Sequence, residues 1–155
     1  MDARIGVISD THGLLRPEAI RALRGVDRII HAGDVGSPEV LAGLRALAPV
    51  TVVRGNNDRG AWARALHETV TLRVAGARIH VLHDVKELAL DPVGARVDVV
   101  IAGHSHTPTL ATRDGVLFLN PGSAGPRRFT LPVTVARLAV RDGRPRARIV
   151  PLAIA

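Results

Sequence analysis

A chain of 155 residues sets a single domain, residues 1–155, as the default, and is long enough to bury about two-thirds of its unfolded surface. It has no cysteine, which excludes disulfides and Cys-ligated zinc, and no apolar run of roughly 18 residues, which excludes a membrane helix. Hydrophobic residues reach 46% but aromatics only 2%, so the core is built from Val, Leu, Ile and Ala, while a formal charge of +7 turns the surface toward anionic partners. The N-terminus enters a strand directly, without a signal-peptide pattern, and a cytoplasmic protein is the simplest reading.

Residues 4–9 read as a buried first strand, ending in Ser9-Asp10-Thr-His12-Gly. Pro17 starts a helix whose apolar positions are Ala19, Ile20, Ala22 and Leu23, and Gly25 ends it. Residues 27–31 form a second strand, closed by Ala-Gly-Asp34. Ser37-Pro38-Glu39 has the form of an N-cap followed by proline at the first helical position, and the helix runs through Leu47 until Pro49 blocks it. Residues 50–53 are a third strand, followed by Gly55-Asn56-Asn57-Asp58. This β-α-β-α-β order predicts a parallel sheet with crossover helices.

The pattern then shifts. Residues 69–74 and 78–82 read as a hairpin turning at Ala75-Gly76-Ala77, followed by His83-Asp84. A short helix is expected within 85–95, interrupted by Pro92. Residues 97–102 form another apolar strand, ending in Gly103-His104-Ser105-His106. Four further strands are expected near 109–112, 116–119, 133–140 and 146–152, separated by turns such as Asp114-Gly115 and Asp142-Gly143.

The chemistry gathers after the strands: Asp10, His12, Asp34, Asn56, His83, His104 and His106. Alternate residues of an extended chain share a face, so Asp10 and His12 are expected to aim at one point. In open α/β sheets the site lies beyond the carboxyl ends of the strands. Two carboxylates, an amide and four imidazoles exceed the ligand count of one ion and suit two ions about 3.5–4 Å apart, sharing a carboxylate. Two divalent cations, two aspartates and a hydroxide leave the centre near +1, attractive to a phosphate. The mixed nitrogen and oxygen donors point to manganese, iron, cobalt, nickel or zinc rather than magnesium or calcium. His31 and His80 fall inside strands and read as hydrogen-bonded core residues, and His67 carries no role.

Together, Ser9-Asp10-Thr-His12, Gly33-Asp34, Gly55-Asn56-Asn57-Asp58, His83 and Gly103-His104-Ser105-His106 resemble the calcineurin-like metallophosphoesterases over residues 5 to about 125. Asn120-Pro-Gly-Ser123 and the short length resemble the small YfcE-type phosphodiesterases. The resemblance implies a four-layer αββα sandwich of the metallo-dependent phosphatase fold, with two divalent transition metal ions, manganese first, at its top. It implies that Asp10, His12 and His106 hold one metal, that Asn56, His83 and His104 hold the other, and that Asp34 bridges them. A metal-bridging hydroxide would then attack a phosphodiester in line. Asn57, Asp58, Asp84 and Ser105 are candidates for substrate contact or for support behind the ligands.

Two positions depart from the family pattern. Many members carry histidine, the proposed general acid, where this chain has Asn57, and an amide delivers no proton at neutral pH. That turns the reading toward small phosphodiesters and away from monoesters with poor leaving groups. Asp84 stands where glycine is common; its carboxylate either repels an anionic substrate or orients His83 or a water.

Two other functions are weighed against the enzyme. The eukaryotic retromer subunit resembles this family and serves as a non-catalytic protein-binding scaffold, though its site is eroded. Arg144, Arg146 and Arg148 would share one strand face and suggest nucleic-acid binding, but the 20 arginines are scattered and lack aromatic interleaving. The last strands also offer an exposed edge or a homo-oligomer contact. Loops around 13–16, 59–68 and 124–130 are expected to carry specificity.

Overall fold

Ile5 and Val7 turn one way from the first strand and Gly6 and Ile8 the other, and all four are buried, so this strand lies between two apolar layers. The computed structural model describes residues 1–154. Among them the chain order is β1 (Asp2–Ile8), α1 (Pro17–Ala22), β2 (Arg28–His31), α2 (Pro38–Arg45), β3 (Val50–Val52), α3 (Ala61–Arg64), β4 (Thr69–Val74), β5 (Ala77–Leu82), β6 (Val99–Ile101), β7 (Thr109–Arg113), β8 (Val116–Asn120), β9 (Thr134–Arg141) and β10 (Arg144–Pro151).

Two five-stranded sheets result, ordered β10-β9-β1-β2-β3 and β4-β5-β6-β8-β7. The centre of each is parallel: β1, β2 and β3 in the first, β5, β6 and β8 in the second. Antiparallel strands flank both centres. The sheets face each other through Ile5, Val7, Ile30, Val53 and Leu138 on one side and Ile79, Val81, Val99, Ile101 and Leu119 on the other. Helices α1 and α2 cover the outer face of the first sheet, where Leu23, Val40, Leu41 and Leu44 meet Ile8 and Ile29. Among the described residues no helix is long and apolar enough to cross a membrane.

The outer layer on the second sheet is thin. The helix expected within 85–95 is a single 3₁₀ turn, Val85–Glu87, capped by the Asp84 carboxylate on the Lys86 N–H. Pro92 disfavours helical backbone at Asp91 and lacks an amide hydrogen, so the chain continues as turns. Leu88, Leu90 and Ala95 still pack over Val97, Val100 and Val116. The four-residue α3 went unforeseen because one helical turn leaves no periodic pattern.

Candidate metal centre

β1 ends at Ile8, so Asp10 and His12 do not alternate along a strand as the sequence suggested. They converge because both sit in left-handed turns, at φ 55° and 47°; Asp34, His104 and His106 do the same, at 55°, 67° and 63°. Aspartate and histidine enter this region more readily than bulky or branched residues, at a cost of about 1–3 kcal/mol each. Backbone bonds hold the turns in place. Asp10 N–H donates to Gly33 O, His12 N–H to Asp34 O and Gly13 N–H to Val35 O, lacing the loop after β1 to the loop after β2.

Glycine is required where other loops press against these two. A Cβ at Gly55 would collide with Asp34 N and Oδ1, and one at Gly103 would collide with Ser9 Oγ and Asp10 Oδ2. Asp58 anchors the crossing: its buried carboxylate accepts from Val35, Gly36 and Gly55 N–H.

Asp10 Oδ2 accepts from Ser9 Oγ at 2.6 Å and His104 N–H at 3.1 Å. Asp10 Oδ1 is buried with no hydrogen-bond partner. It lies 3.4 Å from His106 Nε2 and 3.9 Å from the Nε2 atoms of His12 and His83. Asp34 Oδ2 lies 3.4 Å from His83 Nε2 and 3.7 Å from His12 Nε2. His12 and His106 bring their Nε2 atoms within 3.4 Å of each other. Two groups of three side chains, Asp10–His12–His106 and Asp10–Asp34–His83, can each converge on one point.

The tautomer of His83 follows from its partner. Nδ1 is 2.7 Å from Ala32 O, a pure acceptor, so Nδ1 carries a hydrogen in either protonation state and Nε2 is the nitrogen that becomes a lone pair once the ring is neutral. That nitrogen is buried without a hydrogen-bond partner, as is His106 Nδ1. Unpartnered buried polar atoms cost about 1–3 kcal/mol each. Carboxylate oxygens crowded against imidazole nitrogens call for a positive charge, a proton or a cation, and mixed carboxylate and imidazole donors suit a divalent transition metal. The residues present therefore fit the ions that the sequence pattern implied.

Protonation tells the same story. Burial pulls the His83 imidazole down, but the Asp34 carboxylate, the Ala32 carbonyl and the Asp10 charge outweigh it and raise the pKa to about 9. Burial alone would raise Asp34, yet the His83 imidazole 3.4 Å away and two hydrogen bonds from Asn57 hold it well below the usual carboxylate range. Burial keeps His106 below its ordinary value despite the opposing Asp10 charge, and Arg128 adds to the lowering.

His104 stands apart from these converging atoms. Its ring meets His83 edge-on at 5.1 Å between centroids, and its Nε2 lies 3.7 Å from Asp84 Oδ2. Asn56 and His104 line one cleft of about 790 Å³ with His83, Asp84 and Arg54. Asn57 donates to Asp34 through both its backbone and its side chain. Ser105 Oγ accepts from Thr107 N–H and Asn120 Nδ2.

Several supporting residues stood in the quoted motifs without an assigned role. Ser9 was legible as a polar group closing an apolar strand. Asn120 Nδ2 donates to Gly103 O, and Ser123 Oγ donates to Asp10 O, across more than a hundred residues in the second case. His31 is a core histidine as expected: Nδ1 accepts from Gly33 N–H, Nε2 bonds Thr11 Oγ1, and burial lowers its pKa to about 3. His80 bonds Thr71 Oγ1 inside the hairpin.

Known proteins share this sequence and fold. A probable metallophosphoesterase of Methanothermobacter thermautotrophicus is 37% identical over 147 residues, covering 86% of this chain and 85% of that protein. A phosphodiesterase of Methanocaldococcus jannaschii is 29% identical over 140 residues, covering 77% and 82%. Wild-type Vps29 of Entamoeba histolytica, solved in complex with zinc, has a TM-score of 0.72 at 25% identity, covering 96% of this chain and 98% of that one. Residues 3–143 match the model of the calcineurin-like phosphoesterase superfamily domain, and with the carboxylate–imidazole cluster at its strand ends the chain belongs to that superfamily.

Proposed function

We propose that this chain is a phosphodiesterase working with two divalent transition ions, manganese first among the metals that the donors suit. The observation that carries the reading is Asp10 Oδ1 and His83 Nε2, two buried polar atoms left without hydrogen bonds and facing each other across 3.9 Å. Asp10, His12 and His106 would hold one ion, and Asn56, His83 and His104 the other. Asp34 would stand between them, since its Oδ2 faces both His12 and His83. Two ions bound there supply polarisation of a phosphoryl oxygen and a water acidic enough to act as nucleophile near neutral pH.

The protein's own contribution is positional. Ser9 Oγ and His104 N–H occupy one oxygen of Asp10 and leave the other free. Ala32 O sets the His83 tautomer. Asn57 fixes both oxygens of Asp34, a holding task that leaves it no proton to give a leaving group. This favours small diesters whose leaving group departs without help from an acid at that position. The named likeness to a phosphodiesterase of M. jannaschii supports the same substrate class.

The test is hydrolysis of bis(p-nitrophenyl) phosphate by metal-free protein supplemented in turn with manganese, nickel, cobalt and zinc. Turnover that needs metal and disappears in Asp34→Asn is expected; absence of turnover with all four overturns the reading. The likeness to Vps29 motivates the second reading, a binding scaffold of the same fold. A scaffold would keep its partner and show no turnover to lose in Asp34→Asn.

A further inference from the structure

The first sheet presents a face of arginines that the hydrolytic site does not use. In the register of β1, β9 and β10, Arg141 lies directly opposite Arg144, and Arg137 directly opposite Arg148. Between those pairs Ala139 sits opposite both Arg146 and Arg4. Directly paired residues share a sheet face, and the alternate residues Ile5, Leu138, Val140, Ala147 and Ile149 pack into the inter-sheet core. The six arginines therefore all point outward. At the Gly6 end of this face Leu23, just after α1, packs over Gly6.

Like charges directly opposite on neighbouring strands repel, and here that happens twice within three strands. Compensation is sparse. Among the described residues only Arg141 has a carboxylate partner, Asp2, at 3.6 Å. Arg137 is tied to the Ala22 carbonyl at the end of α1 and to the Arg24 carbonyl after it. Arg4, Arg144, Arg146 and Arg148 are exposed and form no ion pair. Protection of an edge strand explains charges on β10 but not Arg4 and Arg137 on the strands inside it. Arg4, Arg137, Arg146 and Arg148 line a groove of about 300 Å³, and Arg141, Arg144 and Arg146 line a second of about 590 Å³.

We propose that this face binds the sugar–phosphate backbone of single-stranded nucleic acid, without reading its sequence. Arg144, Arg146 and Arg148 recur every second residue of an extended strand, about 6.7 Å apart, a straight ladder of cations suited to a chain carrying one charge per repeat. Guanidinium groups engage phosphate oxygens two at a time. Within the grid the intervening positions are Ala139 and Gly6, so no large apolar side chain is available to enter a lipid layer. No aromatic ring is available there to stack a base, so affinity is electrostatic and steep in salt.

The experiment measures anisotropy of a fluorescein-labelled oligodeoxythymidylate against Asp34→Asn protein in chelator, which separates binding from hydrolysis. Four phosphates neutralised by Arg4, Arg144, Arg146 and Arg148 give a slope of log affinity against log salt of about −3. In the variant R144Q/R146Q/R148Q the slope is expected to fall to about −1, with affinity at low salt reduced at least about tenfold. Metal-dependent hydrolysis of bis(p-nitrophenyl) phosphate should survive those three changes, and thermal unfolding should be unchanged or later because two repulsive pairs are relieved. Arg146→Glu alone gives a second reading should the triple variant fail to fold. Three results overturn the proposal: no binding at low salt, binding unaffected by these variants, or equal binding to polyglutamate or phosphatidylserine vesicles. None of them bears on whether the chain hydrolyses small diesters.

Discussion

Asn57 grips Asp34 with two hydrogen bonds of 2.9 Å, from its backbone N–H to Oδ1 and from Nδ2 to Oδ2. Groups that orient a metal-ligating carboxylate typically matter 10–100-fold for affinity or activity, so Asn57→Ala is expected to lose about that much manganese affinity or turnover. Asn57→Asp should lose more, because it sets a second carboxylate against the first. Metal-to-chain ratios after dialysis, with diester hydrolysis beside them, check both. An Asn57→Ala protein with full metal content and full activity would contradict the positioning role.

On the proposed ligand set, a proton and a metal ion compete for His83 Nε2. In the metal-free chain the His83 pKa stands at about 9, so near neutral pH that proton must leave before the lone pair can hold a cation. Apparent manganese affinity is therefore expected to rise about tenfold per pH unit from neutrality toward pH 9, with about one proton released per chain. Calorimetry in buffers of different ionisation enthalpy counts that proton. Affinity that stays flat across this range would refute the competition.

Stability of the metal-free chain should peak near pH 6.5. Burial lowers His31 from 6.5 to about 3, so between these values the unfolded chain binds a proton that the folded chain refuses, and stability falls as pH falls. Burial also lowers His80 and His106, which act with the same sign. His83 is raised from 6.5 to about 9, so its contribution is complete below 6.5 and lost as pH climbs through 9. Each side of the peak slopes by up to about 1.4 kcal/mol per pH unit for one group. Urea midpoints from pH 4 to 9 in chelator test the shape, and His31→Gln should flatten the acidic side.

Gly103→Ala should damage the site while sparing the fold. The new methyl group would collide with Ser9 Oγ and Asp10 Oδ2, and Asp10 belongs to both converging groups. Displacing a reacting group by about 1 Å costs on the order of 10²-fold in rate. Circular dichroism should remain native while metal content and hydrolysis fall. Full retention of both would mean that the Ser9–Asp10 contact is dispensable.

The first half of the chain was legible because buried parallel strands announce themselves: Ile5–Ile8, Ile29–Ile30 and Val50–Val53 are apolar runs, and Pro17 and Ser37-Pro38 mark the helices between them. Strand-end placement of Asp10, Asp34, His83 and His104 was legible for the same reason. The left-handed turns were not, because a residue's type permits such backbone without dictating it. Nor was the Asn57–Asp34 clasp, which depends on two crossing loops whose members are 23 residues apart. The short helix expected within 85–95 is only one 3₁₀ turn, because the apolar residues that follow it pack from turns.

Asp10, His12 and Asp34 leave the first sheet, whereas His83, His104 and His106 leave the second, so the cluster straddles the seam of the sandwich. A cation held there as proposed would be gripped from both sides, a rivet as well as a reagent. Ions that bind only the closed sandwich stabilise it by about 2.7 kcal/mol at a hundredfold excess over their dissociation constant. Chelation should then loosen amide protection first along β2, β5 and β6, beneath that rivet, and the halves of the molecule would part where the chemistry is done.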